Sequence, residues 1–382
     1  MKDEKDSKQK LIVTYFCTKP TIGGAEYVTK LLIENLSKFY DVTYVGYNGY
    51  QTTIKCDKKF YPFTKAFDLL PMKSGIGIVM RSLPFLRHVF IKKIDLDCDV
   101  LISNSTDDDL LLINNKINYK ALVAVKHLPR EFSPVYPDHL ISNRPFKAVA
   151  LNRSDYARLS QKYGKNNTVL IYNGIDTKKN KKPAGSGNLD IDKKDKIIFS
   201  ICRLEDDQKK LSYGIKAIGK LINAYPNIKY LIAGSGPDKE KYLRLVKDLG
   251  LKKNVKLLGF ISDAEKLTLL GRGEIALYPS VTEGFSISTL EALRAGKIVI
   301  SGKSLGSMDI IQDGRNGFFT ELDSDAIADV VKKVFLSNKE NINKIKRNAV
   351  LTAKKFSTKN MIKNYIDVID ELENKIKDRQ SL

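Results

Sequence analysis

The stretch IALYPSVTEGFSISTLEALRAGKIVI, residues 275–300, contains one complete strand–helix–strand unit. Ile275–Tyr278 is a short, wholly apolar run, the pattern of a parallel strand covered on both faces. Thr289–Ala295 reads as a helix, and Lys297–Ile300 as the next buried strand. Two strands joined through a helix must run parallel, which is the repeating unit of a doubly wound α/β sheet. Upstream, Ile197–Ile201, Lys229–Ala233 and Val255–Leu258 repeat the strand pattern, with Lys239–Leu249 as an intervening helix. An earlier series comprises Leu11–Cys17, Asp41–Val45, Val100–Ser103, Ala121–Val125, Ala148–Leu151 and Val169–Tyr172. Tyr27–Leu36 carries Val28, Leu31, Leu32 and Leu36 at helical spacing. Between the two series, TKKNKKPAGSGNLDIDKKDK (177–196) is charged and almost free of large apolar groups, as a domain boundary is. After Asp325 the chain turns helical, ending in an amphipathic stretch at Lys359–Ile376. The expected organisation is a first domain over 1–177, a linker over 178–196 and a second domain over 197–358. A C-terminal helix over 359–382 is expected to cross back to the first domain.

A length of 382 residues suits two such domains, and 42% hydrophobic residues suffice to fill their cores. The net charge is +21, with 28 basic against 18 acidic residues in 1–180 and 37 against 26 in 181–382. An excess spread over both halves implies a positive surface suited to phosphorylated ligands, anionic lipid or nucleic acid, not a detachable basic tail. Cys17, Cys56, Cys98 and Cys202 lie too far apart for a Cys-x-x-Cys pattern and read as reduced core thiols. Neither a signal peptide nor a membrane-spanning run is evident, so a cytoplasmic protein is expected. With three histidines and no Cys/His cluster, a structural metal is not expected. Asp107–Asp109 form a loose acidic match that a solvated loop or a helix cap explains as well.

In doubly wound domains ligands bind beyond the carboxyl ends of the strands, where helix N-termini offer unpaired N–H groups. Three such loops stand out. KPTIGGAE places Gly23 and Gly24 before a helix, where backbone can approach an anion, although a plain tight turn also accounts for them. CRLEDDQKKL holds Arg203 and Lys209, which can reach a diphosphate, beside Glu205, Asp206 and Asp207, which can neutralise them. YPSVTEGFSISTLEALRAG places Glu283 in a loop and Glu291 on the following helix, where its carboxylate can accept from vicinal hydroxyls or merely favour the helix dipole.

These motifs, in this order, resemble family-4 glycosyltransferases. ICRLEDDQKKLSYGIKAI resembles their arginine-and-lysine loop. YLIAGSGPDKEKYLRLVKDLGLKKNVKLLGFIS resembles their central glycine block, TEGFSISTLEALRAGKIVI their paired-glutamate motif, and MDIIQDGRNGFF a segment that follows it. GGAE and VLIYNGID match in the first half, so the resemblance spans nearly the whole chain and is weakest over 48–145. It implies the GT-B fold of two facing Rossmann-like domains with a helical C-terminal tail, and a nucleotide diphosphate sugar lying mostly against the second domain. Residue by residue, it implies that Arg203 and Lys209 bind the donor diphosphate, with Gly23 and Gly24 helping from the other domain. Glu291 would hold ribose hydroxyls and Glu283 sugar hydroxyls. The backbone of Gly284, Phe285, Ser286 and Ile287 would meet the sugar and β-phosphate, with Phe260 also in the donor set. His127 matches a position beside the donor sugar, so His127 and Glu283 form the implied catalytic set. The chain departs from the pattern at Ser286 and Cys202, which replace glycines, and Lys210 leaves the phosphate lysine open.

The resemblance implies metal-free transfer, with retention, of a hexose or N-acetylhexosamine from a nucleotide sugar, UDP favoured, to a glycan, lipid-linked or polysaccharide acceptor. The competing readings are another GT-B nucleotide-sugar enzyme, an epimerase or inverting transferase, and a basic nucleic-acid-binding protein. The last lacks a zinc finger, a helix-turn-helix signature or an RNP-like strand. Residues 71–94 interleave Lys73, Arg81, Arg87, Lys92 and Lys93 with Ile76, Val79, Leu83, Leu86 and Phe90 and contain no acid. That stretch suits an anionic membrane surface, which would make the protein peripheral at the inner face. Pro84 and the placement of Arg87 on the apolar face equally suit a core helix with a basic rim.

Overall fold

A computed structural model describes residues 9–15, 23–46, 61–62, 96–104, 117–125, 144–176, 191–192 and 194–381. His127, Asp107–Asp109, Cys17, Cys56, all of 71–94 and most of the expected linker lie outside these residues. The described chain divides into two compact units, Met1–Ile171 with Met361–Leu382, and Tyr172–Asn360. The division falls at Tyr172, ahead of the expected 177, because the segment after it packs within the second unit. There Ile175 bridges Ser357, and a Cβ on Gly174 would lie 2.6 Å from the Ser357 carbonyl.

The first unit is built on a seven-stranded sheet of β1 (Lys10–Tyr15), β2 (Asp41–Gly46), β3 (Tyr61–Pro62), β4 (Leu96–Ser103), β5 (Ile117–Val125), β6 (Phe146–Ala150) and β7 (Thr168–Leu170). The order is β3-β2-β1-β4-β5-β6-β7, with every pairing parallel. Its helices are α1 (Gly24–Leu36) and α2 (Arg153–Tyr163). α1 buries Val28, Leu32, Ile33 and Leu36, the face its periodicity predicts.

The second unit repeats the plan with β8 (Lys196–Ile201), β9 (Ile228–Ala233), β10 (Val255–Gly259), β11 (Ile275–Tyr278), β12 (Ile298–Ser301) and β13 (Phe318–Phe319), ordered β10-β9-β8-β11-β12-β13 and all parallel. Its helices are α3 (Asp206–Lys209), α4 (Leu211–Leu221), α5 (Lys239–Asp248), α6 (Asp263–Arg272), α7 (Ile287–Arg294), α8 (Leu305–Ile310), α9 (Ser324–Leu336) and α10 (Lys339–Lys355). Strand residues Ile198, Tyr230, Ile232, Leu277 and Ile300 meet Leu211, Ile215, Ile218 and Leu221 of α4 and Ile327, Val331 and Val334 of α9 in one core. Each large side chain so buried contributes about 1.5–3 kcal/mol.

The last helix, α11 (Thr358–Gln380), belongs from Met361 onward to the first unit. It buries Met361, Ile362, Tyr365, Val368, Ile369 and Leu372 there. Glu371 ion-pairs with Lys147 of β6 at 2.7 Å, and the Tyr40 hydroxyl lies 3.3 Å from Asp370. No described helix is long and apolar enough to cross a membrane.

Both strand orders reverse direction once, between β1 and β4 and between β8 and β11. At such a switch point the adjacent connections leave to opposite sides and open a crevice at the carboxyl ends of the strands. In the second unit the loops there are those after β8 and β11.

Candidate active site of the second unit

Leaving β8, the chain turns through Cys202, Arg203, Leu204 and Glu205 into the single turn α3. Lys210 takes a left-handed conformation (φ 49°, ψ 35°), ends α3 and starts α4 in a new direction. A non-glycine residue in that region needs support from its surroundings. Asp206 supplies it. Its Oδ1 accepts from the Ser212 amide and the Tyr242 hydroxyl, each at 3.0 Å, and its Oδ2 from Lys241 Nζ at 2.9 Å. Burial pushes the Asp206 carboxyl up, but these bonds outweigh it and hold the group below the ordinary carboxylate range. Asp206 therefore does not neutralise the loop's cations as its sequence position suggests; Glu205 does, meeting Arg203 Nε at 3.3 Å. Arg203 is about half exposed, so that pair is weak and exchangeable.

Gly234, after β9, closes the floor of the loop. Its φ is +138°, and a Cβ there would lie 1.8 Å from the Cys202 carbonyl oxygen. Cys202 itself has no positive φ, so a side chain fits where the resembled family has glycine. Burial pushes its thiol up to about 12, with Lys209 pulling downward and Glu283 pushing further up. It packs, partly buried, against the core of the second unit.

The loop after β11 is strapped to α3: Gln208 Nε2 donates to the Thr282 carbonyl at 2.9 Å, and the Val281 amide donates to the Gln208 carbonyl at 2.9 Å. Behind it, the Gly306 amide donates to the Glu283 carbonyl at 2.9 Å, and a Cβ at Gly306 would lie 2.6 Å from the Gly284 oxygen. These straps bring Lys209 Nζ to 2.5 Å from Glu283 Oε1, with side chains 11% and 15% exposed. Burial works against the Lys209 charge, but Glu283, aided by Cys202 and Glu205, more than offsets it and raises its pKa. Lys209, not Lys210, thus faces the acidic loop. Ser280 Oγ donates to the same Glu283 oxygen at 3.0 Å, and among the described residues Oε2 has no partner.

Ser286 caps α7, its hydroxyl accepting from the Thr289 amide at 3.3 Å and the Thr289 hydroxyl at 2.9 Å. Serine is a strong cap, so this departure from glycine fixes the helix start. The Ile287 and Ser288 amides are left as the leading donors of α7. Glu291 lies in the second turn, not the first, so it does not serve the helix dipole. Instead its Oε1 pairs with Lys266 Nζ of α6 at 2.9 Å, and among the described residues Oε2 has no partner. α6 is set by a capping box, the Ser262 amide donating to Glu265 Oε2 at 2.8 Å and the Glu265 amide to Ser262 Oγ at 3.2 Å. The Phe285 ring is buried against Tyr172 and Phe356, with centroids at 5.4 and 5.5 Å, so only its backbone can meet a ligand. Phe260, just past β10, is 68% exposed.

The structure thus brings together Lys209, Glu283, Gly284, Phe285, Ser286 and Ile287, with Arg203 on the same loop as Lys209. The sequence gives Asp206 a different role and does not single out Gln208 or Lys266, since polar side chains on short or exposed elements look solvated until their partners are known. In the first unit, the Gly23 amide is already bonded to Glu26 Oε2 at 2.9 Å, and Gly24 begins α1. Among the described residues no three His, Cys, Asp or Glu side chains group as metal ligands.

The 4-alpha-N-acetylgalactosaminyltransferase of Campylobacter jejuni that acts on N-acetylgalactosamine-N,N'-diacetylbacillosaminyl-diphospho-undecaprenol is 27% identical over 322 residues, covering 79% of this chain and 84% of that protein. Alpha-monoglucosyldiacylglycerol synthase of Acholeplasma laidlawii is 27% identical over 172 residues, covering 42% of this chain and 43% of that protein. Three of the first four curated relatives are matched over less than half their own length, 42%, 32% and 43%. Anabaena HepE, crystallised with UDP and glucose, has the same fold at a TM-score of 0.69 and 18% identity, covering 95% of this chain and all of that one. The two-unit α/β architecture is accordingly GT-B-like. Residues 181–352, most of the second unit, match the family described as Glycosyl transferases group 1.

Proposed function

We propose that the chain transfers a hexose or N-acetylhexosamine from a nucleotide diphosphate sugar, with UDP the first nucleotide to test, to a lipid-linked or polysaccharide acceptor. Transfer retains anomeric configuration and uses no metal ion. The observation that carries this reading is the convergence of Lys209 and Glu283 from two separate loops at the switch point of the second sheet.

Departure of the nucleoside diphosphate concentrates negative charge on its phosphates. Lys209 and the Ile287 and Ser288 amides are held donors that can oppose that charge as it develops, and Arg203 can leave Glu205 to join them. Glu283 Oε2 accepts from a sugar hydroxyl and Glu291 Oε2 from a ribose hydroxyl, each held by the cation on its other oxygen. The exposed Phe260 ring offers a face for the base. The acceptor oxygen bonds to the anomeric carbon on the face from which the phosphate oxygen departs, and its proton passes to that phosphate oxygen. His127 is proposed beside the donor sugar. The two relatives whose names give lipid-linked or glycolipid chemistry support a lipid-linked acceptor, and we place the enzyme at the cytoplasmic membrane face as a peripheral protein.

Calorimetry with a panel of nucleotides and a transfer assay test this reading. Glu283→Ala abolishes transfer through loss of the sugar hydroxyl contact, while Arg203 and the α7 amides keep nucleotide affinity nearly intact. Glu291→Ala weakens nucleotide binding ten- to a hundredfold, the equivalent of about 1.5–3 kcal/mol for a charged hydrogen bond. The reverse pattern contradicts the assignment. Activity persists in EDTA; loss restored by manganese or magnesium contradicts metal-free transfer.

A further inference from the structure

The amino ends of β8, β9 and β10 hold a second site, at the opposite end of the sheet from the loops above. A cavity of about 320 Å³ there is lined by Ile191, Asp195, Ile197, Lys229, Leu231, Lys252, Lys253, Asn254 and Lys256. Strand register explains its construction. Ile197 pairs with Lys229 and Leu231 with Lys256, and alternate residues share a face, so these four side chains project from one side of the sheet. Ile197 and Leu231, 1% and 5% exposed, form an apolar floor, and Lys229 and Lys256 stand beside them. The rim is fixed: Lys229 Nζ donates to the Lys253 carbonyl at 2.7 Å, and Asn254 Nδ2 donates to the Ile228 carbonyl at 3.0 Å.

The electrostatic balance of this cavity is lopsided. Four lysines and one acid, Asp195, line it, and the Asp195 Oδ2 is already taken by the Asp192 amide at 3.0 Å. None of the four lysines has an ion-pair partner among the described residues. Lysines on an edge strand deter edge-to-edge pairing, which would account for Lys256 on β10. It does not account for Lys229, which sits on the inner strand β9 and is half-buried. Four like charges set against the single carboxylate of Asp195 repel one another, and an anion entering the cavity relieves that repulsion.

We propose that this cavity binds a phosphate group. The site is independent of the donor loops and of the transferase reading, and the phosphate can belong to a lipid headgroup or be free.

The test uses the full chain, vesicles of phosphatidylcholine with and without phosphatidylglycerol, and inorganic phosphate. Wild type sediments with the anionic vesicles and not with the neutral ones, and Lys253→Glu with Lys256→Glu weakens this at least tenfold. Both positions are exposed, and an unchanged melting curve checks their folding. Lys339→Glu with Lys344→Glu, exposed on α10 and equal in charge change, leaves sedimentation within twofold of wild type. Competition by millimolar inorganic phosphate assigns the site to free phosphate as well; vesicle binding that resists it assigns the site to the headgroup. Equal loss in both double variants overturns the proposal, as does a pocket variant that binds like wild type, or a wild type that binds neither probe.

Discussion

Replacing Glu283 by Gln leaves the Lys209 ammonium in place without its counter-charge, in surroundings that expose only 11% of the lysine side chain. Removing one partner of a buried pair costs about 3–5 kcal/mol, because the survivor stays desolvated and unpaired. With 15% of Glu283 also exposed, the low end applies, about 3 kcal/mol. Lys209→Met should cost a similar amount by stranding the carboxylate. The double variant removes both charges and should lose only about 1–2 kcal/mol, giving a coupling of about 4–5 kcal/mol. Urea titration of the four proteins measures this. In a unit of this size, 3 kcal/mol corresponds to a melting shift of roughly 6–12 °C. The pH dependence supplies an independent check. Lys209 has a raised pKa in the native protein, so its contribution is fully present below 10.5 and is lost as pH rises through the native value. Without Glu283, burial dominates and the pKa falls below 10.5. Deprotonation then relieves the variant, and its deficit should shrink as pH rises from 7 towards 10.5. Additive single-variant costs, or a deficit independent of pH, would refute the view that these two groups act as a unit.

Ser286→Ala should destabilise the second unit by about 1 kcal/mol through loss of the α7 cap, and Ser286→Gly by only a few tenths; equal costs in urea titration would contradict the capping role. Lys297 is drawn down to about 8 by burial and by Lys346, with Glu274 opposing. The unfolded chain therefore holds the extra proton between about pH 8 and 10.5, and stability contributed by this group rises with pH across that window and is lost as pH falls through 8. Lys297→Met should remove that rise when melting curves of the two proteins are compared, and parallel pH profiles would rule it out.

The fold was legible because parallel strands buried on both faces leave runs that few other structures produce. Ile275–Tyr278 was read with its observed limits, and Val255–Leu258 fell one residue short at Gly259. What the apolar pattern could not carry was anything shorter than its own period. The two-residue strands Tyr61–Pro62 and Phe318–Phe319 went unread, and α3, a single turn, has no amphipathic face to announce it. The unit boundary was missed for a related reason: composition registers where apolar residues stop, whereas Tyr172–Asp176 is assigned by a bridge from Ile175 to a serine distant in sequence.

The site divides along the same line. Glu283 and Lys209 could be nominated because each lies in a βα loop, and strand order then determines that these two loops are neighbours. Sequence position said nothing about which acid answers which base. Within one loop Glu205 and Asp206 are adjacent and chemically similar, yet Glu205 pairs with Arg203 while Asp206 turns inward to Ser212, Tyr242 and Lys241. The difference arises from the one-turn helix and the left-handed Lys210 that follows it, since successive residues on a helix point about 100° apart. Lys266 was invisible for a stronger reason. Its partner Glu291 lies beyond an entire strand and a loop, so their meeting depends on α6 and α7 lying on the same side of the sheet. Pairings of this kind are fixed by topology and packing, and they determine which carboxylate oxygen is left to meet a substrate.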